Sequence, residues 1–367
     1  MRTPMRAREQ GMSLVEVLVG VAIGLIGILI ITQAYIASDN FNRSALGAGS
    51  GQTNGLIALF TIQRDVEMAG YGINQANVLG CGNLDWYYNG NYSPNVQAGS
   101  PLPNLVLAPV YIDSSVTPNT ITVMYASGTV LSMGSTIQSF NASSSEVMVS
   151  GTQGYNVGDL ILLVSQSPST PCTMANITNV QATASKLQMN PGASGLYNPP
   201  SWGSFPSTYT TNDLIFDIGN PVVRTYSIAN PAVGQYRLQL TDTLLNVAGT
   251  ASPQDLVDGV VDLRAQYGKD DGAGGATAGD GIVDEYNNVQ PATSAQWQQV
   301  LSVRIGVLVR IGTYEKPATP GGACTATTTA PTWQGGTFTV PGGLPSCYRY
   351  RVYQTVVPLR NMLWGYS

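Results

Sequence analysis

The chain has 367 residues, with 16 Lys and Arg against 21 Asp and Glu, a net charge of −5, and charged side chains form only 10% of it. Its three lysines (Lys186, Lys269 and Lys316) and scattered arginines make no run that could track a phosphate backbone, which excludes nucleic acid as a main partner. The sequence has no histidine, so Ser-His-Asp and Cys-His catalysis and imidazole-ligated zinc are excluded too; carboxylate, lysine or tyrosine chemistry is all that an enzyme could use.

The first segment, MRTPMRAREQG, places Arg2, Arg6 and Arg8 ahead of an apolar run. From Val17 through Ser38 no charge occurs, and these 22 residues make a helix of about 33 Å, long enough to cross a bilayer. The basic flank keeps the N-terminal end in the cytoplasm and sends the remainder across. Glu16 lies at the edge of the run, where an unpaired carboxylate costs a few kcal/mol, so it is a functional candidate; the alternative is a carboxylate resting at headgroup level. Gly20 and Gly24, with Gly27 close to the same face, would allow close helix approach or soften the helix. Cleavage as a secretory signal would need a small-residue site after the run, but Ala34 and Ala37 are wrongly spaced for one.

The glycine-rich SALGAGSGQTNG (44–55) is expected to interrupt helical propensity, and LIALFTIQRDVEMAG resumes apolar spacing at Leu56, Leu59, Phe60, Ile62 or Gln63, and Val66. The spacing predicts a second helical piece that lays one face on a head domain and ends near Gly70-Tyr71-Gly72, packed by Met68 and Tyr71. NLDWYYNGNY (83–92), with Trp86, Tyr87, Tyr88 and Tyr92, reads as a turn-rich aromatic patch. With Trp202 it could also line a glycan groove. Beyond residue 100 short strands are expected at 119–127, 146–151, 158–166, 213–219, 222–230 and 235–242, each broken by Gly, Pro, Asn or Ser, with one buried face in each sheet. Residues 185–209 read as a long Pro/Gly loop.

Four cysteines, Cys81, Cys172, Cys324 and Cys347, are too far apart for a CxxC site and fit two disulfides in an oxidising compartment. The stretch between Cys324 and Cys347 has little apolar periodicity and would gain from closure, which leaves Cys81 with Cys172. Four buried thiols are the alternative. Asp270, Asp271, Asp280 and Asp284 gather around glycine turns and are candidate calcium ligands, without EF-hand spacing; a solvated acidic hairpin tip is the preferred reading. No other cofactor is implied.

GMSLVEVLVG resembles the class III leader of type IV pilins and pseudopilins. The resemblance implies cleavage between Gly11 and Met12, methylation of the new N-terminus, and Glu16 as the fifth mature residue, set to pair with the terminal amine of a neighbouring subunit. RDVEMAGYG (64–72), QDLVDGVVDLRAQYG (254–268), GDGIVDEY (279–286), WQQVLSVRIGVLVR (297–310) and RYRVYQTVVPLRN (349–361) resemble PilW-type minor pilins, relatives of the J-type pseudopilins. The expected organisation is α+β: a leader at 1–11, a transmembrane stalk helix at 12–39, an amphipathic continuation at 40–72, and a β-rich periplasmic head at 73–367 with its PilW-like part at about 254–361. The resemblance implies a non-enzymatic minor pilin of the inner membrane, later part of the pilus. Its partners would be a prepilin peptidase and methyltransferase, an inner-membrane assembly platform, the major and other minor pilins, and a large tip adhesin. The rival readings are a type II secretion pseudopilin and, from another class, a tethered adhesin or glycan-active protein.

Overall fold

The structure, a computed structural model, describes residues 13–75, 78–81, 84–88, 91–93, 106–126, 134–167, 170–192, 197–198, 208–230, 234–242, 252–317, 319 and 321–363. Its first element is one unbroken helix, α1 (Leu14–Met68), of 55 residues. Ser13 caps its start, its hydroxyl accepting from the Glu16 amide at 3.2 Å.

The expected break at residues 44–55 does not occur, and the reason lies in packing. Gly47, Gly51 and Gly55 recur every fourth residue and so form one row along the helix. A methyl group on them would run into Gly312, the Ile311 side chain and the Tyr353 ring respectively. The glycines let α1 lie close against the head, and that contact outweighs a propensity cost of about 1 kcal/mol each. Beyond them Ala58, Leu59, Ile62, Val66 and Ala69 continue the inward stripe; burying each of the larger three contributes roughly 1.5–3 kcal/mol.

Twenty strands follow among the described residues. The first eleven are β1 (Leu84–Tyr88), β2 (Asn91–Ser93), β3 (Val110–Asp113), β4 (Thr120–Tyr125), β5 (Ser135–Asn141), β6 (Glu146–Val149), β7 (Leu160–Val164), β8 (Cys172–Asn176), β9 (Asn179–Gln181), β10 (Lys186–Gln188) and β11 (Leu214–Gly219). Then come β12 (Val222–Ala229), β13 (Arg237–Asp242), β14 (Gln254–Asp258), β15 (Val260–Lys269), β16 (Glu285–Asn287) and β17 (Val300–Ile311), with the short helix α2 (Ser294–Gln298) before β17. The chain ends in β18 (Thr332–Trp333), β19 (Gly336–Thr337), β20 (Arg349–Pro358) and α3 (Arg360–Leu363).

These strands make a nine-stranded sheet in the order β2-β1-β8-β7-β11-β5-β6-β10-β9, a five-stranded sheet β14-β13-β12-β4-β3, a four-stranded sheet β16-β15-β17-β20, and the small pair β18-β19. The pairings are antiparallel except β1 with β8. All six strands expected from the sequence appear within the ranges given for them. The stretch 185–209 departs from a pure loop, because Lys186–Gln188 pairs with both β6 and β9.

The largest core joins α1 to the five- and four-stranded sheets: Ile62 and Val66 meet Ile121, Leu238, Leu263 and Ile305, among others. Two further cores contain the two sets of side chains that alternate along β7, Leu160, Leu162 and Val164 in one and Ile161 and Leu163 in the other. That strand is buried over all five residues, as a continuous apolar run should be. The helix is therefore gripped by the head along its C-terminal half and bare along its N-terminal half.

Candidate functional site: the stalk helix and its anchorage

Leu14–Asp39 is 26 residues long, apolar enough to cross a membrane, and no residue of its apolar stretch is buried in the protein. Val17, Ile23, Leu25 and Ile31 are all exposed, as a surface meant for lipid or for other helices would be. Glu16, in the first turn, is the one charged residue between Ser13 and Ser38 and is also exposed. Nothing lies within 4 Å of the places where Gly20, Gly24 and Gly27 would carry a side chain, so that face is open to another helix. Gly11 and Met12 lie outside the described residues.

The other end of α1 is fastened by groups far apart in the chain. Asp65 sits on the inward stripe between Ile62 and Val66 and is 6% exposed. Arg224 of β12 donates to its two oxygens at 3.0 and 3.1 Å, and the Tyr226 hydroxyl donates to Oδ2 at 2.7 Å. Burial, reinforced by the Asp65 hydrogen bond and charge, pushes the Tyr226 hydroxyl far above its ordinary pKa. Burial would lower Arg224, but its bond to Asp65 and the carboxylate charge outweigh that and raise it. At the helix end, the Asn361 amide donates to the Met68 and Ala69 carbonyls at 3.1 and 3.0 Å, and Asn74 donates to the Asn361 carbonyl at 2.8 Å. These bonds satisfy carbonyls that a helix C-terminus otherwise leaves open. The string RDVEMAGYG thus does more than end a helix. Met68, expected to pack there, is 48% exposed; Val66 and Ala69 pack instead.

Two disulfides tie the head: Cys81 with Cys172, and Cys324 with Cys347. The first links the segment after α1 to β8; the second closes the loop before β20.

In the acidic hairpin the carboxylates turn inward onto backbone amides. Asp270, fully buried, accepts from Gly279 at 2.6 Å and Gly281 at 2.7 Å. These two glycines hold φ of +81° and +83°, a region that other residues rarely adopt. Asp284 accepts from Gly272, Asp271 from Ala273, and Asp280 from Ile282. Among the described residues no three His, Cys, Asp or Glu side chains are grouped to hold a metal ion.

Trp86 and Tyr87 do not line a glycan groove: they are 2% and 7% exposed, and Trp86 belongs to a core. Side chains of a strand stand off the faces of its sheet, and Trp86 is buried there in a core with Ile73, Leu107 and Phe216. The Tyr88 and Tyr92 side chains and Trp202 lie outside the described residues.

Residues 225–361 match the family described as Type IV Pilus-assembly protein W, and residues 6–32 match the Prokaryotic N-terminal methylation motif. No curated protein and no solved structure matches the chain. The first match begins at Thr225, beside Arg224, and ends at Asn361, so the groups that fasten the base of α1 stand at its two limits.

Proposed function

We propose that the chain works as a PilW-type type IV pilus-assembly protein, a minor pilin with an N-terminal methylation motif, as its two family matches support, and that it assembles as follows. The family is structural and implies processing by a prepilin peptidase and incorporation by pilus-assembly machinery. The leader and bare helix fit an inner-membrane pilin. In the proposed course, the peptidase cuts between Gly11 and Met12 on the cytoplasmic side. The new amine then lies one helical turn from Glu16 of its own chain. An unpaired carboxylate at membrane depth costs roughly 2.5–3.5 kcal/mol, and a neighbour's amine relieves that cost in one axial register, so docking is coupled to neutralisation. Major and minor pilins supply the neighbours, and an inner-membrane platform extracts the stalk. The broad head limits the chain to few copies, at the tip where assembly starts, beneath a large adhesin. The head carries no chemistry in this account.

The observation that carries the proposal is the bare apolar stalk in which Glu16 is the one charge from Leu14 through Ser38. Glu16→Gln keeps the size and removes the charge. The variant is expected to be inserted and trimmed normally while surface pili, counted by electron microscopy, fall at least tenfold; an undiminished count would contradict the pairing.

A further inference from the structure

The four-stranded sheet ends in a long open edge. β20 pairs with β17 over ten residues, from Arg349 opposite Ile311 to Pro358 opposite Ser302, and among the described residues it has no strand on its other side. In an antiparallel ladder alternate residues turn their N–H and C=O groups away from the partner, and among the described residues no backbone hydrogen bond reaches that outer side. The other sheet edges among the described residues are shorter. β2, β9 and β16 have three residues each, Asn54 of α1 donates to Asp258 at the end of β14, and the Tyr267 hydroxyl accepts from Ile112 of β3.

A second observation falls in the same place. Leu56 and Phe60 are large apolar side chains left 54% and 67% exposed on the part of α1 that lies on the head. Asn54 marks the β14 flank of the helix. Leu56, two residues on and about 200° further round, lies on the opposite flank, next to Gly55, which faces the Tyr353 ring of β20, and Phe60 stands one turn beyond it. Arg351 is exposed at the same edge; it lies near the Tyr353 ring, with no carboxylate paired to it among the described residues.

We propose that the open edge of β20, overhung by Leu56 and Phe60, is a docking groove for an extended segment of another pilus subunit, which adds to the sheet as a further strand. The donor segment is apolar at alternate positions, where it meets Leu56 and Phe60, and acidic where it passes Arg351. The identity of the donor as a pilus subunit rests on the function proposed above.

A second copy of this chain does not fit the groove. Along the head α1 passes Gly312 and Ile311 first and Leu359 and Met362 last, so it runs parallel to β20. Two copies of β20 joined antiparallel would be related by a two-fold axis normal to the sheet, and their stalks would point in opposite directions, which one membrane cannot accept. The segment RYRVYQTVVP also holds no acid to meet Arg351.

The test uses the full chain in pilus-forming cells, with photoreactive p-benzoylphenylalanine in place of Gln354 and, separately, of Val356, both exposed. Irradiation is expected to join both positions to nearby residues of one short segment in a different subunit. Leu56→Glu is expected to lower that yield at least fivefold while the chain still reaches the pilus fraction. The β20 amides are also expected to exchange hydrogen at least tenfold more slowly in sheared pili than in the detergent-purified protein. Crosslinks only to a second copy, no crosslink from chain recovered in pili, or equal exchange in the two samples would overturn the groove and leave the pilus assignment standing. Absence of the unaltered chain from pili would overturn both.

Discussion

Replacing Asp65 by alanine tests whether the base of the stalk is held as described. The carboxylate is buried and accepts a 2.7 Å bond from Tyr226 and two from Arg224. A hydrogen bond to a buried charge contributes roughly 1.5–3 kcal/mol, and the tyrosine bond belongs in that range. The arginine pair contributes less, about 1 kcal/mol or below, because its side chain is 37% exposed and water replaces much of what it loses. The expected loss is therefore about 2–4 kcal/mol. At about 2–4 °C per kcal/mol for a large domain, the thermal midpoint should fall by roughly 5–15 °C. Circular dichroism on the detergent-solubilised chain reads the change. A double-mutant cycle with Tyr226→Phe should return a coupling of at least 1 kcal/mol. A fall below 1 °C for Asp65→Ala, or additive losses in the cycle, would refute the reasoning.

Gly55→Ala should lower stability by roughly 1–3 kcal/mol through overpacking against Tyr353 despite the better helix former, whereas Gly49→Ala, exposed and with nothing nearby, should raise it by up to about 1 kcal/mol; paired melting curves check the opposite signs. Asp217, whose carboxyl is pushed up to about 6 by burial and the nearby Asp159, favours the fold below its unfolded pKa of 3.8 and loses that contribution as pH rises through 6. Asp217→Asn should accordingly be more stable than the parent at pH 7, with the gap narrowing towards pH 4; a gap independent of pH would contradict it. In the acidic hairpin, excess chelator should leave the melting temperature unchanged within 1 °C, since the carboxylates already hold backbone amides; a fall of several degrees would show that the loop takes up calcium.

Much of this architecture is legible in the sequence because it rests on local patterns. The apolar run with its basic flank reads as a spanning helix, and short apolar stretches between turn residues read as strands. The glycines at 44–55 mislead for a physical reason: propensity treats each as a cost, but their spacing of four is a packing signal, visible only once a surface is known to press on that face. Asp65 was recoverable in principle. A carboxylate between Ile62 and Val66 on an inward stripe demands a partner, but nothing local says that the partner is Arg224, 159 residues away. The Asn361 cap is likewise a long-range pairing, across 293 residues to Met68. Trp86 and Tyr87 look like a surface patch because turn residues surround them; the burial of Trp86 comes from a core it shares with residues as distant as Leu107 and Phe216, which sequence spacing does not encode.

The central claim is that the stalk keeps its apolar helix and begins at a new amine one turn before Glu16. Intact-mass and N-terminal peptide spectrometry on the protein recovered from sheared pili tests it most directly. The account predicts a chain that starts at N-methylated Met12; a chain that starts near residue 38, or still carries Met1 to Gly11, would contradict it.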